Sequence, residues 1–425
     1  MRPIHMPLSV RGRVRWSVYN ERGEREPVRV TYPDGREALL SGGYWQPNLI
    51  TNLGMNAFAE TAQGWVGLQS TLSQSVRLFG RVGTGSTAPA FTDTTLDNQV
   101  DCSSTAIPFD SDAVSGSEDG SSVTIHALRR VTFVMDQNRN LTEFGFGNTK
   151  GGEWVEDTDW DGNPANCSGE IGVLDTSTCM GKIVPAGSGE TEKCWSWQDF
   201  NDIYVRELFR DSGGTPITIS ILSGKTLRID HVYDITLDTS MQTGSFGVDE
   251  YDAANQFVST TTVDYHARWW SSRSSSGTAT ENARSLAQAV ILLAGNLSWN
   301  ATGVALTYST QLNPDISAGT YLGSVPNGYT MATSSGTNTW GADGVELSKS
   351  EYVAGSYERV WHMTVSPARG NVAWTGWGTR YSRITYADAS VAAAGFIVAF
   401  RNDHAFTKAD THTLRWSIKL SWARG

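Results

Sequence analysis

A chain of 425 residues in which 33 Lys and Arg face 44 Asp and Glu has a formal net charge of −11, which argues against a general binder of nucleic acid or of anionic membranes. Its 43 glycines and 16 tryptophans, with abundant Thr and Ser, suit strands joined by tight turns, and the length is enough for two cores. No apolar stretch is long enough to cross a bilayer, the longest lying near Ala289 to Ala294, and no signal-peptide segment follows the N-terminal arginines, so synthesis in the cytoplasm without an export signal is expected.

Residues 1–36 hold eight arginines against four acids. Val10, Val14, Trp16 and Val18 alternate with Arg11, Arg13 and Arg15, which predicts a strand followed by a turn at Asn20-Glu21-Arg22-Gly23. Residues 1–45 therefore read as a basic N-terminal strand arm. Two roles are open to it: docking of Arg11, Arg13 and Arg15 onto an acidic neighbour, or an Arg-lined exposed strand face. Asn48 to Glu60 has helical spacing at Ile50, Leu53, Ala57 and Phe58, with Thr51 or Asn52 as the cap. Val76 to Val82 reads as a strand ending in the turn Gly83-Thr84-Gly85-Ser86-Thr87-Ala88-Pro89. Leu227, Ile229, Tyr233, Ile235 and Leu237 share one face of a strand from Thr226 to Leu237. His231 interrupts that face as a hydrogen-bonded core or sheet-end histidine. Asn282 to Leu293 looks helical. At the C-terminus Leu414, Trp416, Ile418, Leu420 and Trp422 again form one apolar face, so both strands should be half buried in antiparallel sheets.

One pattern is written twice. Arg130-Val131, Arg139-Asn140, Gly145-Phe146-Gly147, Phe209-Arg210-Asp211 and Thr226-Leu227-Arg228 return in order as Arg359-Val360, Arg369-Gly370, Gly376-Trp377-Gly378, Phe400-Arg401-Asn402 and Thr413-Leu414-Arg415. The first copy is longer at one place, an insertion at about 148–200. The expected fold is mainly β: two related antiparallel β-sandwich-like domains, 46–240 with the insertion and 241–425, with short helices. Duplicated β units suit proteins that fill positions in symmetric assemblies more than enzymes with one active site.

The insertion contains Asp157, Asp159 and Asp161 at alternate positions before Gly162, with Glu170 beyond. This pattern fits either a structural Ca²⁺ loop lacking its twelfth-position carboxylate, where Ser168 stands, or a solvated acidic loop. Of the four cysteines, Cys102, Cys167, Cys179 and Cys194, the pair Cys167 and Cys179 reads as a bridge or as free or partly buried thiols. No catalytic constellation stands out. Ser223-Gly224-Lys225-Thr226 lacks the leading glycine of a phosphate-binding loop, the seven histidines are scattered, and Glu143 would need a second carboxylate to serve a glycosidase. Trp269, Trp270, Trp374 and Trp377 read as subunit-interface packing first, and as a glycan-stacking platform second.

Asn48-Leu49-Ile50-Thr51-Asn52-Leu53-Gly54, the glycine turn with Thr92-Asp93-Thr94, Leu141-Thr142-Glu143-Phe144-Gly145, Val205 to Asp211 and the ending Phe406 to Trp422 together resemble structural proteins of tailed-bacteriophage virions. The resemblance covers about half of the chain and implies a non-enzymatic tail, neck or collar, or fibre component. The partners implied are copies of itself as a trimer or hexamer and other tail or neck proteins. No cofactor is required beyond the Ca²⁺ considered above, and neither nucleic acid nor membrane insertion is expected. Recognition of host surface glycans without hydrolysis is the alternative.

Overall fold

The computed structural model describes residues 2–60, 78–105, 113–116, 122–147, 153–156, 193–196, 201–238, 240, 242–269, 304–309, 329–331, 345–367, 373–381, 384–385, 390–391 and 395–425. In chain order the first half contains β1 (Ile4–Tyr19), β2 (Arg25–Glu26), β3 (Val28–Thr31), β4 (Glu37–Leu40), β5 (Gln46–Ile50), the helix α1 (Asn52–Glu60), β6 (Phe79–Gly83), β7 (Gln99–Thr105), β8 (Ala113–Gly116), β9 (Ser122–Val134), β10 (Arg139–Leu141), β11 (Glu143–Gly147), β12 (Glu153–Glu156), β13 (Lys193–Ser196), β14 (Ile203–Leu208), β15 (Thr218–Ile221) and β16 (Thr226–Asp238). The second half contains β17 (Gln242–Tyr251), β18 (Phe257–Trp269), β19 (Val304–Ser309), β20 (Tyr329–Met331), β21 (Val345–Lys349), β22 (Glu358–Val365), β23 (Ala373–Tyr381), β24 (Ile384–Thr385), β25 (Ser390–Val391), β26 (Gly395–Thr407) and β27 (Thr413–Arg424). The protein is mainly β, as its composition and alternation require.

The repeat in the sequence is a repeat of pairings, all antiparallel. In the first half β1 lies beside β5 and β16, and in the second β17 lies beside β18 and β27. A second set joins β6 to β7 and β11, matched by β19 with β20 and β23. β14 between β11 and β5 is matched by β26 between β23 and β18. β9 between β8 and β16 is matched by β22 between β21 and β27. The stretch read as an insertion contains the antiparallel pair β12–β13, and an antiparallel pair β24–β25 stands at the same place in the second half. What the first half adds, among the described residues, is α1, β2 and the small sheet β10-β15-β3-β4. Gly145-Phe146-Gly147 and Gly376-Trp377-Gly378 of the repeated pattern lie within the matching strands β11 and β23.

One expectation is corrected, that for the N-terminal segment. It is no detached arm but the first strand of the first half, the counterpart of β17. Its even-numbered side chains Ile4, Met6, Leu8, Val10, Val14, Trp16 and Val18 are buried. At about 1.5–3 kcal/mol for each large apolar side chain removed from water, peeling this strand away would cost as much as the net stability of a typical domain. Beyond its pairing with β16, β1 joins the two halves: Ile4–Val10 runs parallel to Ile418–Arg424 of β27. The predicted hairpin after β1 forms, with Val18 opposite Glu26 and Gly23 at φ 76°.

The predicted helix forms and closes the same joint. Thr51 Oγ1 accepts the Gly54 N–H at 3.0 Å, the N-cap bond that the sequence suggested. Asn56 Oδ1 then accepts from Tyr352 and Gly355, Asn52 Oδ1 accepts from Tyr357 and Arg424, and Trp422 Nε1 donates to the Met55 carbonyl. A helix of the first half is thus fastened to loops and strands of the second, over one continuous apolar core.

Candidate functional site

A cleft of about 720 Å³ opens where β1 exchanges its partner, from the end of β27 to the start of β5. Its walls come from four places: Arg11 on β1, Tyr44 to Ile50 on and before β5, Phe91 on the loop after β6, and the 210–214 turn, with Arg424 closing the end. Gly12 allows the strands to come this close, because a Cβ there would lie 2.1 Å from Asn48 Oδ1. The sequence puts aromatic surface at the rim, where Trp45 remains 37 % exposed and Phe91 50 %. The volume falls within the range of small-ligand sites.

Each wall is held rigidly. Tyr44 and Trp16 both donate to the Arg210 carbonyl, at 2.7 and 3.3 Å. Asp211 Oδ1 accepts the N–H groups of Thr215 and Gly213, its Oδ2 accepts the Tyr32 hydroxyl, and these bonds hold its pKa below the usual carboxylate value. Glu207 is buried, which raises its pKa against the Leu208 N–H and the Arg210 guanidinium that favour its charged form. Phe91 is tied through its carbonyl to the Asn52 N–H at 2.7 Å, and Arg424 stacks on its ring at 4.2 Å. Arg424 donates to the Ile50 carbonyl and to Asn52 Oδ1. Neither Arg11 nor Arg424 pairs with a carboxylate among the described residues.

On the outer face beside the cleft the arginines of β1 diverge. Arg13 pairs with Asp234 at 2.8 Å, and His126 reaches the same carboxylate at 2.5 Å. Arg15 and Arg130 share Asp230, at 2.8 and 2.5 Å. Burial alone would raise the Asp234 pKa, and the hydrogen bonds from His126 and Arg13 bring it below the ordinary value. Trp45 lies against the Arg15 and Arg13 guanidiniums, at 4.6 and 5.7 Å. The docking role of Arg13 and Arg15 is therefore corrected: their charges are spent inside the chain, because β16 presents two aspartates in register. Arg11 alone of the three is exposed.

Two polar groups that the sequence left open have structural duties. Glu143, 0 % exposed, accepts the N–H groups of Gly85, Asn98 and Asp97 and the Arg206 guanidinium. Arg206 also reaches Asp93 and Asp97, so this buried cluster shapes the glycine turn itself. Glu143 is thus walled off from solvent. His231, 0 % exposed, is the feature that sequence reasoning placed in the core but misassigned. Neither ring nitrogen has a hydrogen-bond partner among the described residues, because its neighbours across the strands are Val14 and Arg129 and its ring lies 3.7 Å from that of Tyr233. Burial drives its pKa down to about 3. Asn48 Oδ1 and Nδ2 and Gln46 Oε1 are also buried without partners, on β5 across β1 from Tyr233 and His231.

Asp157, Asp159, Asp161 and Glu170, Cys167 and Cys179, Trp270 and the helix expected at 282–293 lie outside the described residues. Among the described residues no group of three or more His, Cys, Asp or Glu is placed to hold a metal. No helix among them is long and apolar enough to cross a membrane. Cys102 is buried and disulfide-bonded. Trp269 ends β18 and Trp374 and Trp377 lie on β23, opposite Val398, Phe406 and Phe400. They are not in the lining of the cleft, and the aromatic residues that do line it, Trp45 and Phe91, were passed over because each stands alone in the sequence. Compared with protein-family models, curated proteins and solved structures, the chain matches none.

Proposed function

We propose that the chain is a non-enzymatic structural subunit of a tailed-phage virion, an oligomeric component of the tail, the neck or collar, or the fibre-attachment apparatus. The observation that carries this reading is the doubled set of strand pairings. Three copies of such a chain present six similar β units, which would let a trimer bridge three-fold and six-fold parts of a tail. Support also comes from the glycine turn on which the phage resemblance rests. Its residues are fixed by the buried Arg206 and Glu143 cluster, as a scaffold element would be. Light scattering of the purified chain at several concentrations tests the reading: a trimer or hexamer is expected, and a monomer at every concentration, with and without the other tail or neck proteins, would remove it. The same measurement in EDTA tests Asp157, Asp159, Asp161 and Glu170, since loss of the oligomer there would mark a Ca²⁺ clamp.

A second reading is favoured by the cleft: recognition of host surface glycans without hydrolysis. Exposed Trp45 and Phe91 beside arginines form a surface on which sugar rings stack. It is compatible with a virion subunit exposed to the host.

A further inference from the structure

We infer that the cleft between β1, β5 and the end of β27 is a binding site for an acidic saccharide, with Arg11 as the residue that selects the sugar carboxylate. This rests on the second reading above and is independent of the assembly reading. Four observations carry it. The cleft holds two cations, Arg11 and Arg424, that no described carboxylate neutralises, whereas the third arginine of its lining, Arg210, is answered by Glu207, and Arg13 and Arg15 beside Arg11 on β1 by Asp234 and Asp230. A strongly acidic chain that leaves a guanidinium free at the mouth of a concave site has the donor fork that matches a planar carboxylate.

The aromatic surface is placed for rings. Trp45 and Phe91 stand on different walls, and each keeps a large exposed fraction although a guanidinium already lies against it. The acids in the lining do not oppose an anion on equal terms. Asp211 has its oxygens filled by two backbone N–H groups and the Tyr32 hydroxyl, and Glu207 is buried against Arg210. Finally, the walls are pre-formed by bonds that do not involve Arg11, so a ligand would not have to order them. A neutral sugar would use the rings but leave Arg11 idle. An acidic peptide would use the arginines, but a concave site of this volume rimmed by separate aromatic faces suits one to a few sugar rings better than an extended backbone.

The test is titration of the full chain with a glucuronate-containing tetrasaccharide and with its neutral, carboxyl-reduced counterpart, followed by saturation-transfer NMR and tryptophan fluorescence. The expected result is about tenfold tighter binding of the acidic form, the effect of one charge-assisted contact. That preference should shrink with added salt. Arg11→Gln, at an exposed position, is expected to remove the preference while leaving the far-ultraviolet circular dichroism and melting temperature unchanged. Phe91→Ala is expected to weaken both sugars alike. Equal affinity for the two sugars, or an unchanged preference in Arg11→Gln, would overturn the inference and leave glycan recognition standing. No binding of either sugar at about 10 mM, the weak edge of specific association, would overturn both, while the oligomeric state would still judge the assembly reading.

Discussion

Arg130 and Arg359 occupy the same place in the repeated sequence pattern, on the equivalent strands β9 and β22, and end on opposite sides of their sheets. On β9 the strand partner of Leu227 is Phe133, three residues past Arg130, and on β22 the partner of Leu414 is Val365, six residues past Arg359. An odd shift in register turns every side chain to the other face. Arg130 therefore lies outside, sharing Asp230 with Arg15. Arg359, 2 % exposed, lies inside and donates to the carbonyls of Ser350 and of Ala59, in the last turn of α1. One is an ion pair on the outer face to a carboxylate that its arginines cover, and the other satisfies a helix end at the joint between the halves. Duplication kept the pairing scheme while register reassigned the duties of matching residues.

Three changes would break or sharpen that contrast. The largest effect is expected from Arg359→Met, which leaves the Ala59 and Ser350 carbonyls without this donor. At about 1–3 kcal/mol for each buried polar group left unsatisfied, a loss of about 2–4 kcal/mol in urea unfolding is expected. Arg130→Met should cost less than about 1 kcal/mol, because Arg15 still holds Asp230. Equal losses would show that the register difference has no energetic meaning.

The next effect uses His231, whose counterpart by sequence position on β27 is Ile418; both are buried. The folded His231 stays neutral down to about pH 3, while the unfolded chain takes up the proton near the ordinary value of about 6.5. The lowered folded pKa means that stability is fully present above the unfolded value and falls through the window from about 6.5 to about 3, reaching a loss of about 2 kcal/mol at pH 5. His231→Ile should flatten the fall of the unfolding midpoint between pH 7 and 5. An unchanged slope would show that the buried His231 does not set the acid sensitivity. The smallest effect belongs to the outer face beside β1: Asp234→Asn, which weakens the contacts with Arg13 and His126, should lower stability by about 1 kcal/mol or less in urea unfolding.

Much of the fold was legible because its signals are local. The alternation of Val10 to Val18, the turn ending in Gly23, the Thr51 cap and the apolar face from Leu227 to Leu237 each depend on residues within a few positions. The site was less legible. Arg11, Arg13 and Arg15 look alike in sequence, and only Asp230 and Asp234, more than 200 residues away, separate the two that are spent from the one that is free. Trp45 and Phe91 carry no motif, so nothing marked them as companions. The polar bonds expected for His231 failed because its cross-strand neighbours turned out to be Val14 and Arg129.

The sequence by itself determined which residues of each strand face inward, where the helix begins, and that one arrangement of strands occurs twice. It could do so because period-two alternation, caps and turn glycines act between near neighbours. Tertiary structure decided which strand lies beside which and in what register. It made β1 the seam between the halves, set Arg130 and Arg359 on opposite faces, and opened the cleft where β27 gives way to β5. Those outcomes depend on pairings between distant segments, in which a shift of a single residue exchanges core for surface.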